Sequence, residues 1–468
     1  MSGNNILLIL ALAAGLSSCE LFERLGRGEP RMPPDRETGA RPPEHPTDTP
    51  KNGEVVTVID SFDLDDTVAV DELAALAIRD RDLPAGPDGA QVSLLLPFLS
   101  DRYASTVADL PKNSDWALEY YAGFKLGLED LERRGERAVV HVFDTHGDAG
   151  ESQDLITDPD VRNSQAIIGP YLTEAVRAAA TPAEAALIPL VVPYSAATNL
   201  SPGYERLVQL NPTLPTHLDA AAAFLVEAYD PEQVVLVGLP NGAQDGAIRY
   251  LRERYRELSA DTAAGWRVWR LLTDDVGLQD LEWEDKFVED ERTVFVFPEY
   301  RNPKIVAAFL SQLQIGRGEN SATAFGMPQW AAFETLDPSI MEDLGVMVTA
   351  SFYVDEDEPA VSDFESEYVE RYGVAPSMAA LLGYDAVRYV VPLANRYGRA
   401  WVEHLPPVFE QGLASEYRLA PVYAPIRADT SRVDSLGLDV ERVVEPVRYE
   451  NRDVDVLIYR DYEFQRYE

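Results

Sequence analysis

The chain has 468 residues, of which 80 are Asp or Glu and 40 are Lys or Arg, a formal net charge of −40 at pH 7. So large an acid excess repels phosphates and anionic headgroups, which excludes nucleic acid as a partner. The apolar fraction of 46% is nonetheless that of a folded protein, and the length exceeds the roughly 250 to 300 residues at which a single core stops growing, so two or three domains are expected.

From the amino end, Ile6 to Leu16 form an 11-residue apolar run that closes on Leu16-Ser17-Ser18-Cys19. The run is too short for a hydrocarbon core of about 30 Å, which needs roughly 20 residues, and the small residues at 17 and 18 suit a signal-peptidase site. Residues 1–18 therefore read as a signal peptide, although Met1 to Asn5 carry no Lys or Arg. Cys19, the only cysteine, reads as the lipidated residue of an envelope lipoprotein, facing the periplasm and held to the outer rather than the inner membrane. With one cysteine, an intramolecular disulfide is excluded. Seven prolines from Pro30 to Pro50 make 19–54 an extended tether. Residues 55–90 read as a short acidic module with a β-run Val55 to Ile59 and a helix from Asp71 to Arg79. Its Asp60, Asp63, Asp65, Asp66 and Asp71 lack the glycine turn and closing glutamate of a calcium loop, so no metal is expected.

From Val92 onward, short β-branched runs alternate with helical patterns. Strands are predicted at Val92–Leu96, Val139–Phe143, Ala166–Ile168, Leu187–Val192, Val234–Gly238, Val268–Leu272, Val294–Phe297, Thr323–Phe325 and Val346–Ala350, with helices at Trp116–Arg134, Leu214–Tyr229, Gln244–Leu258 and Pro303–Gln314. This alternation predicts an α/β fold with parallel sheets covered on both faces, and so many units predict two doubly wound lobes.

Within that frame, several stretches in order resemble the type I periplasmic binding proteins of the leucine/isoleucine/valine-binding group. They are Val92-Ser93-Leu94-Leu95-Leu96-Pro97, Tyr120-Tyr121-Ala122-Gly123-Phe124-Lys125-Leu126-Gly127, Val142-Phe143-Asp144-Thr145, Ile167-Ile168-Gly169-Pro170-Tyr171, Pro193-Tyr194-Ser195-Ala196-Ala197-Thr198, Phe325-Gly326-Met327-Pro328-Gln329-Trp330 and Leu382-Gly383-Tyr384-Asp385-Ala386-Val387. The closing run Glu450 to Tyr459 resembles the ending of an envelope lipoprotein subgroup. The resemblance implies a hinge of three crossings, expected near Leu210–Thr213, Thr349–Val354 and Gly412–Tyr417. Lobe 1 would hold 91–210 and return at 353–412, and lobe 2 would hold 211–352 and 413–468.

The resemblance also implies a small-molecule ligand, an amino acid or small carboxylate, held between the lobes. Its carboxylate would meet Tyr171, Thr173, Ser195, Ala196 and Thr198, where strands give way to helix ends with unpaired N–H groups. Its ammonium would meet Glu299 or Asp245, and Tyr103, Tyr171, Tyr300, Trp330 and Tyr353 would wall the cleft. The hydroxyls have an alternative role as helix caps and turn partners, and Trp330 and Tyr353 as hinge core. No catalysis is expected: Ser195 lacks a Gly-x-Ser-x-Gly elbow, Asp144 to Asp148 read as a loop, and Gly238 to Gly242 lack a phosphate-binding lysine. No cofactor is expected either. A membrane transporter is the expected partner. The alternative is a protein-interaction module on the same fold, acting on an envelope enzyme such as a peptidoglycan synthase, with a vestigial cleft. Only 5 of the 40 basic residues are Lys, and Lys scarcity with acid excess is the composition of halophilic proteins.

Overall fold

Five consecutive strands, β1 (Ala90–Leu96), β2 (Ala138–Asp144), β3 (Ala166–Ile168), β4 (Leu190–Val192) and β5 (Leu207–Gln209), are followed by five more: β6 (Val234–Gly238), β7 (Arg267–Arg270), β8 (Thr293–Val296), β9 (Ala322–Phe325) and β10 (Met347–Ala350). Four close the chain: β11 (Leu419–Tyr423), β12 (Pro446–Asn451), β13 (Asp455–Arg460) and β14 (Glu463–Arg466). The computed structural model describes residues 83–102, 114–200, 203–259, 265–272, 281–409, 412–423 and 446–467. The leader, Cys19, the tether, the acidic module up to 82 and Tyr103 lie outside them.

The strands form two seven-stranded sheets, in the order β11-β12-β5-β4-β3-β1-β2 and β14-β13-β10-β9-β8-β6-β7. β1 to β5 run parallel with one another and with β12, and β11 is antiparallel. In the second sheet β6 to β10 are parallel, while β13 runs antiparallel to β10 and β14 antiparallel to β13. The central strands are buried end to end, as in β6, because helices cover both faces. This is the expected pair of doubly wound α/β lobes.

Two of the family-like stretches turn out to be a packing device. The helices Asp115–Arg133 and Met378–Tyr397 cross so closely that a Cβ on Gly123 would lie 1.8 Å from the Ala380 carbonyl oxygen, and one on Gly383 would lie 2.1 Å from that of Tyr120. A buried Arg388–Asp130 pair at 3.0 Å joins the same helices. Glycine is needed there for backbone approach, not for ligand.

The chain leaves the first lobe after β5, through the helix Leu214–Ala228, and returns after β10, where Val361, Phe364 and Tyr368 enter the first lobe's core. The third crossing differs from expectation. β11 and β12 stay in the first sheet, and the chain passes over between Asn451 and Asp455. The physical reason is Asp385: buried in the first lobe, it accepts the N–H groups of Leu413 (2.7 Å) and Ala414 (2.9 Å) and pins that segment at home. Among the described residues no helix is long and apolar enough to cross a membrane.

Candidate functional site

In both sheets the strand order reverses beside the first strand of the lobe, between β1 and β3 and between β6 and β8. In open parallel sheets the crevice outside the carboxyl ends of such strands is where ligands bind. The segments emerging there carry most of the candidate residues.

In the first lobe, Tyr171 after β3, Tyr194 after β4 and Trp116 at the start of its helix stack into one aromatic cluster. Ring centroids are 4.1 Å apart for Trp116–Tyr171, 4.6 Å for Tyr171–Tyr194 and 5.5 Å for Trp116–Tyr194. The hydroxyls of Thr173 and Ser195 bond each other at 2.7 Å, so Thr173 joins two strand-end segments instead of capping its own helix. The backbone of the 194–198 loop is gripped from behind by its carbonyls. Asn211 donates to Tyr194 O (2.6 Å), Gln209 to Ser195 O (2.6 Å) and Ala197 O (3.2 Å), and Arg448 to Thr198 O (3.2 Å). Ala196 and Thr198 are left at the exposed face of the loop. The neighbouring helix Thr173–Ala185 has no side-chain cap, and its first N–H groups have no intrahelical acceptor. Exposed Ala196 and Thr198 thus lie beside an uncapped helix end and an aromatic cluster, an arrangement that suits an anionic group.

The second lobe is built differently. Glu299, 5% exposed, accepts the N–H groups of Arg301 (2.7 Å) and Asn302 (3.0 Å) on one oxygen and the Gln244 amide on the other. Its carbonyl takes the Trp330 indole N–H at 2.6 Å. The carboxylate thus ties β8 to the residues that open the helix Pro303–Gly316. Trp330 is buried in the core, its ring lying where a Cβ on Gly326 would stand. Tyr300 is half-buried, with its hydroxyl accepting from Arg301 at 3.0 Å. Tyr353 sits at the second crossing, its N–H on Ala414 O (3.1 Å) and its ring 5.0 Å from the Arg466 guanidinium; burial raises its pKa. Asp245 is ion-paired with Arg270. Of the expected residues, the structure therefore brings together Tyr171, Thr173, Ser195, Ala196 and Thr198. It places Glu299 and Trp330 in internal roles.

The hinge holds polar residues that the sequence pattern had not singled out. Glu450, 1% exposed, accepts the Thr213 N–H (3.0 Å), the Thr213 hydroxyl (2.7 Å) and the Thr216 hydroxyl on one oxygen, and Arg448 (2.9 Å) on the other. Burial pushes its pKa up, but the Thr216 and Thr213 hydrogen bonds and the Arg452 charge outweigh that and hold it below the ordinary carboxylate range. His217 bridges Thr349 (2.9 Å) and Ser351 (3.0 Å), joining the first crossing to the second, and burial lowers its pKa to about 4 against the opposing Glu450 charge. Burial pushes Asp385 up to about 7, against the N–H groups of Leu413 and Ala414. Trp116 and Tyr194 were also missed as site residues, though Tyr194 lies inside the marked stretch Pro193 to Thr198 and Trp116 opens a predicted helix. Among the described residues, no group of three or more His, Cys, Asp or Glu is placed to hold a metal ion.

Solved structures with this arrangement include three at low sequence identity. A candidate branched-chain amino acid ABC transporter from Rhodospirillum rubrum superposes with a TM-score of 0.54 at 16% identity, covering 81% of this chain and 100% of that one. A branched chain amino acid ABC transporter periplasmic ligand-binding protein from Burkholderia xenovorans gives 0.53 at 12%, covering 81% and 94%. An ABC transporter substrate-binding protein from Desulfitobacterium hafniense in complex with Leu gives 0.50 at 14%, covering 81% and 100%. No protein-family model and no curated protein matches the chain. The fold is the type I periplasmic binding protein fold.

Proposed function

We propose that this protein is a solute-binding lipoprotein that captures a small carboxylate-bearing molecule, an amino acid or short organic acid, between its lobes and presents it to a membrane transporter. The observation that carries this reading is the 194–198 loop. Four of its five carbonyls, those of Tyr194, Ser195, Ala197 and Thr198, are taken by Asn211, Gln209 and Arg448, and Ala196 and Thr198 stand exposed beside the open end of the helix Thr173–Ala185. Solved structures of the same fold that bear transporter names, one of them holding Leu, support the choice of ligand class. The chemistry is that of a binder and not of a catalyst. Ser195 Oγ is bonded to the Thr173 hydroxyl and lies 3.4 Å from the Ala197 N–H, partners that cannot take its proton and make it a nucleophile.

Residues 1–18 and Cys19 supply export and anchorage in this reading, and the prolines of 19–54 the reach from the membrane. Cys19→Ser is expected to move the protein from the membrane to the soluble envelope fraction; retention in membranes would place the anchor elsewhere. The ligand reading is tested by a thermal-shift screen of amino acids and small carboxylates in molar salt. A true ligand at 100 times its Kd adds about 2.7 kcal/mol to stability. If no compound shifts the transition while tagged protein captures an envelope enzyme, the interaction module replaces solute capture.

A further inference from the structure

The loop that presents the donors and the strand that enters the third crossing are joined by one side chain. We propose that Arg448 and Glu450 are positioning residues that couple the shape of the Ser195–Thr198 loop to the hinge, an inference that rests on the site assignment above.

Arg448 stands on β12. One guanidinium nitrogen donates to Thr198 O at 3.2 Å and the other to Glu450 Oε2 at 2.9 Å. Glu450 Oε1 collects the N–H and hydroxyl of Thr213 and the hydroxyl of Thr216, at the opening of the second-lobe helix Leu214–Ala228. A single buried carboxylate therefore holds the first turn of a second-lobe helix on one oxygen and, through a planar and rigid fork, the ligand loop on the other. Arg452 donates to the Thr216 hydroxyl as well, so the helix end is clamped from two positions of the same crossing. Gln209 and Asn211, which hold the rest of the loop, lie on the run from β5 into the first crossing. Both strands that lead out of the first lobe on this side thus grip the loop.

A change in the angle between the lobes moves the opening turn of the Leu214–Ala228 helix, hence Glu450, hence the Thr198 carbonyl. By linkage, a ligand that fixes the loop biases the lobe angle by the same free energy. The exposed face of the loop recognises; the Arg448–Glu450 chain transmits.

The test is a cycle read by backbone amide NMR shifts on the folded chain without ligand. Thr216→Val alters the hinge end in the second lobe. It is expected to move the resonances of Ala196, Ala197 and Thr198, and to leave them unmoved when Arg448→Met is already present. Shifts that stay still with Arg448 intact, or move equally without it, overturn the proposal. Should Thr216→Val fail to fold, the reciprocal reading serves. Arg448→Lys, which keeps a cation for Glu450 but loses the fork, is expected to move the Thr213 and Thr216 amides, and unmoved amides there overturn the coupling. Calorimetry with L-leucine as the probe separates the two claims. If the wild type binds it, Thr216→Val is expected to change affinity about fivefold only with Arg448 present; an equal change without Arg448 overturns the coupling. If the wild type does not bind it while the shift cycle holds, the coupling stands and the fault lies with the ligand assignment.

Discussion

Equivalent strand ends in the two lobes carry opposite chemistry. In the first lobe polar side chains take the carbonyls of Tyr194, Ser195, Ala197 and Thr198, beside the ring cluster beyond β3 and β4. In the second lobe Glu299, beyond β8, turns inward, saturates itself on Gln244, Arg301 and Asn302, and is sealed by Trp330. A carboxylate at the carboxyl end of a parallel strand is thus not by itself an ammonium acceptor. Here the N–H groups of Arg301 and Asn302, in the turn that leads into the helix Pro303–Gly316, take that carboxylate, and leaving them unpaired in a buried site would cost free energy. Under the proposed function, recognition is concentrated on the first lobe and the second acts as its cover.

The largest effect that would sharpen this contrast is expected from Glu299→Ala. It strips the acceptor from two helix-opening N–H groups and the Gln244 amide, and a loss of about 3 to 4 kcal/mol in urea denaturation is expected. A loss under 1 kcal/mol would mean that the carboxylate is free for ligand after all.

Next in size is a pH effect at the hinge. His217 has an ordinary pKa of 6.5 and a folded value of about 4, so the unfolded chain binds the proton first as pH falls. Its contribution is complete above 6.5 and lost on descent to 4, about 3 kcal/mol in all. Asp385 acts in the reverse sense: raised to about 7, it contributes most below 3.8 and loses that as pH rises through 7. The two offset each other in the wild type, so the informative quantity is a difference. Relative to wild type, His217→Gln is expected to gain up to about 3 kcal/mol between pH 7 and pH 4, because Asp385 is common to both. A pH-independent difference in denaturation midpoint would show that His217 does not titrate in that window.

The smallest effect is expected at Thr173→Ala. Its hydroxyl bond to Ser195 is half-buried and has a neutral partner, so about 1 kcal/mol of stability should go. A thermal transition lowered by much more would make the first-lobe hydroxyls structural, like Glu299, and erase the difference between the lobes.

The fold was legible in the sequence because parallel strands covered on both faces read as unbroken apolar runs, and β3 and β6 fall at their predicted residues. β5 escaped notice because its three residues, Leu207, Val208 and Gln209, close on a polar side chain and do not read as an unbroken apolar run as β3 does. The third crossing was misplaced because Asp385 fixes the 413–414 segment through backbone N–H groups, which no side-chain pattern at those positions reports. For the candidate site, the position of Thr173, Ser195, Ala196 and Thr198 at strand ends was legible in local sequence. The partners that orient them, Gln209, Asn211 and Arg448, lie 12 to 250 residues away, and only the sheet order brings them together. The surroundings of Glu299 were hidden for a related reason: two of its three donors are main-chain N–H groups, and the third, Gln244, lies 55 residues away.

The most direct test of the division of labour is calorimetric titration of a ligand found by the screen into Thr198→Val and Glu299→Gln side by side. Thr198→Val preserves shape and removes one donor to a charged group, about 1.5 to 3 kcal/mol. Affinity is expected to fall roughly 10- to 100-fold with the unliganded transition unchanged, while Glu299→Gln binds as the wild type does. Loss of binding in Glu299→Gln with Thr198→Val unaffected would contradict the account and move recognition to the second lobe.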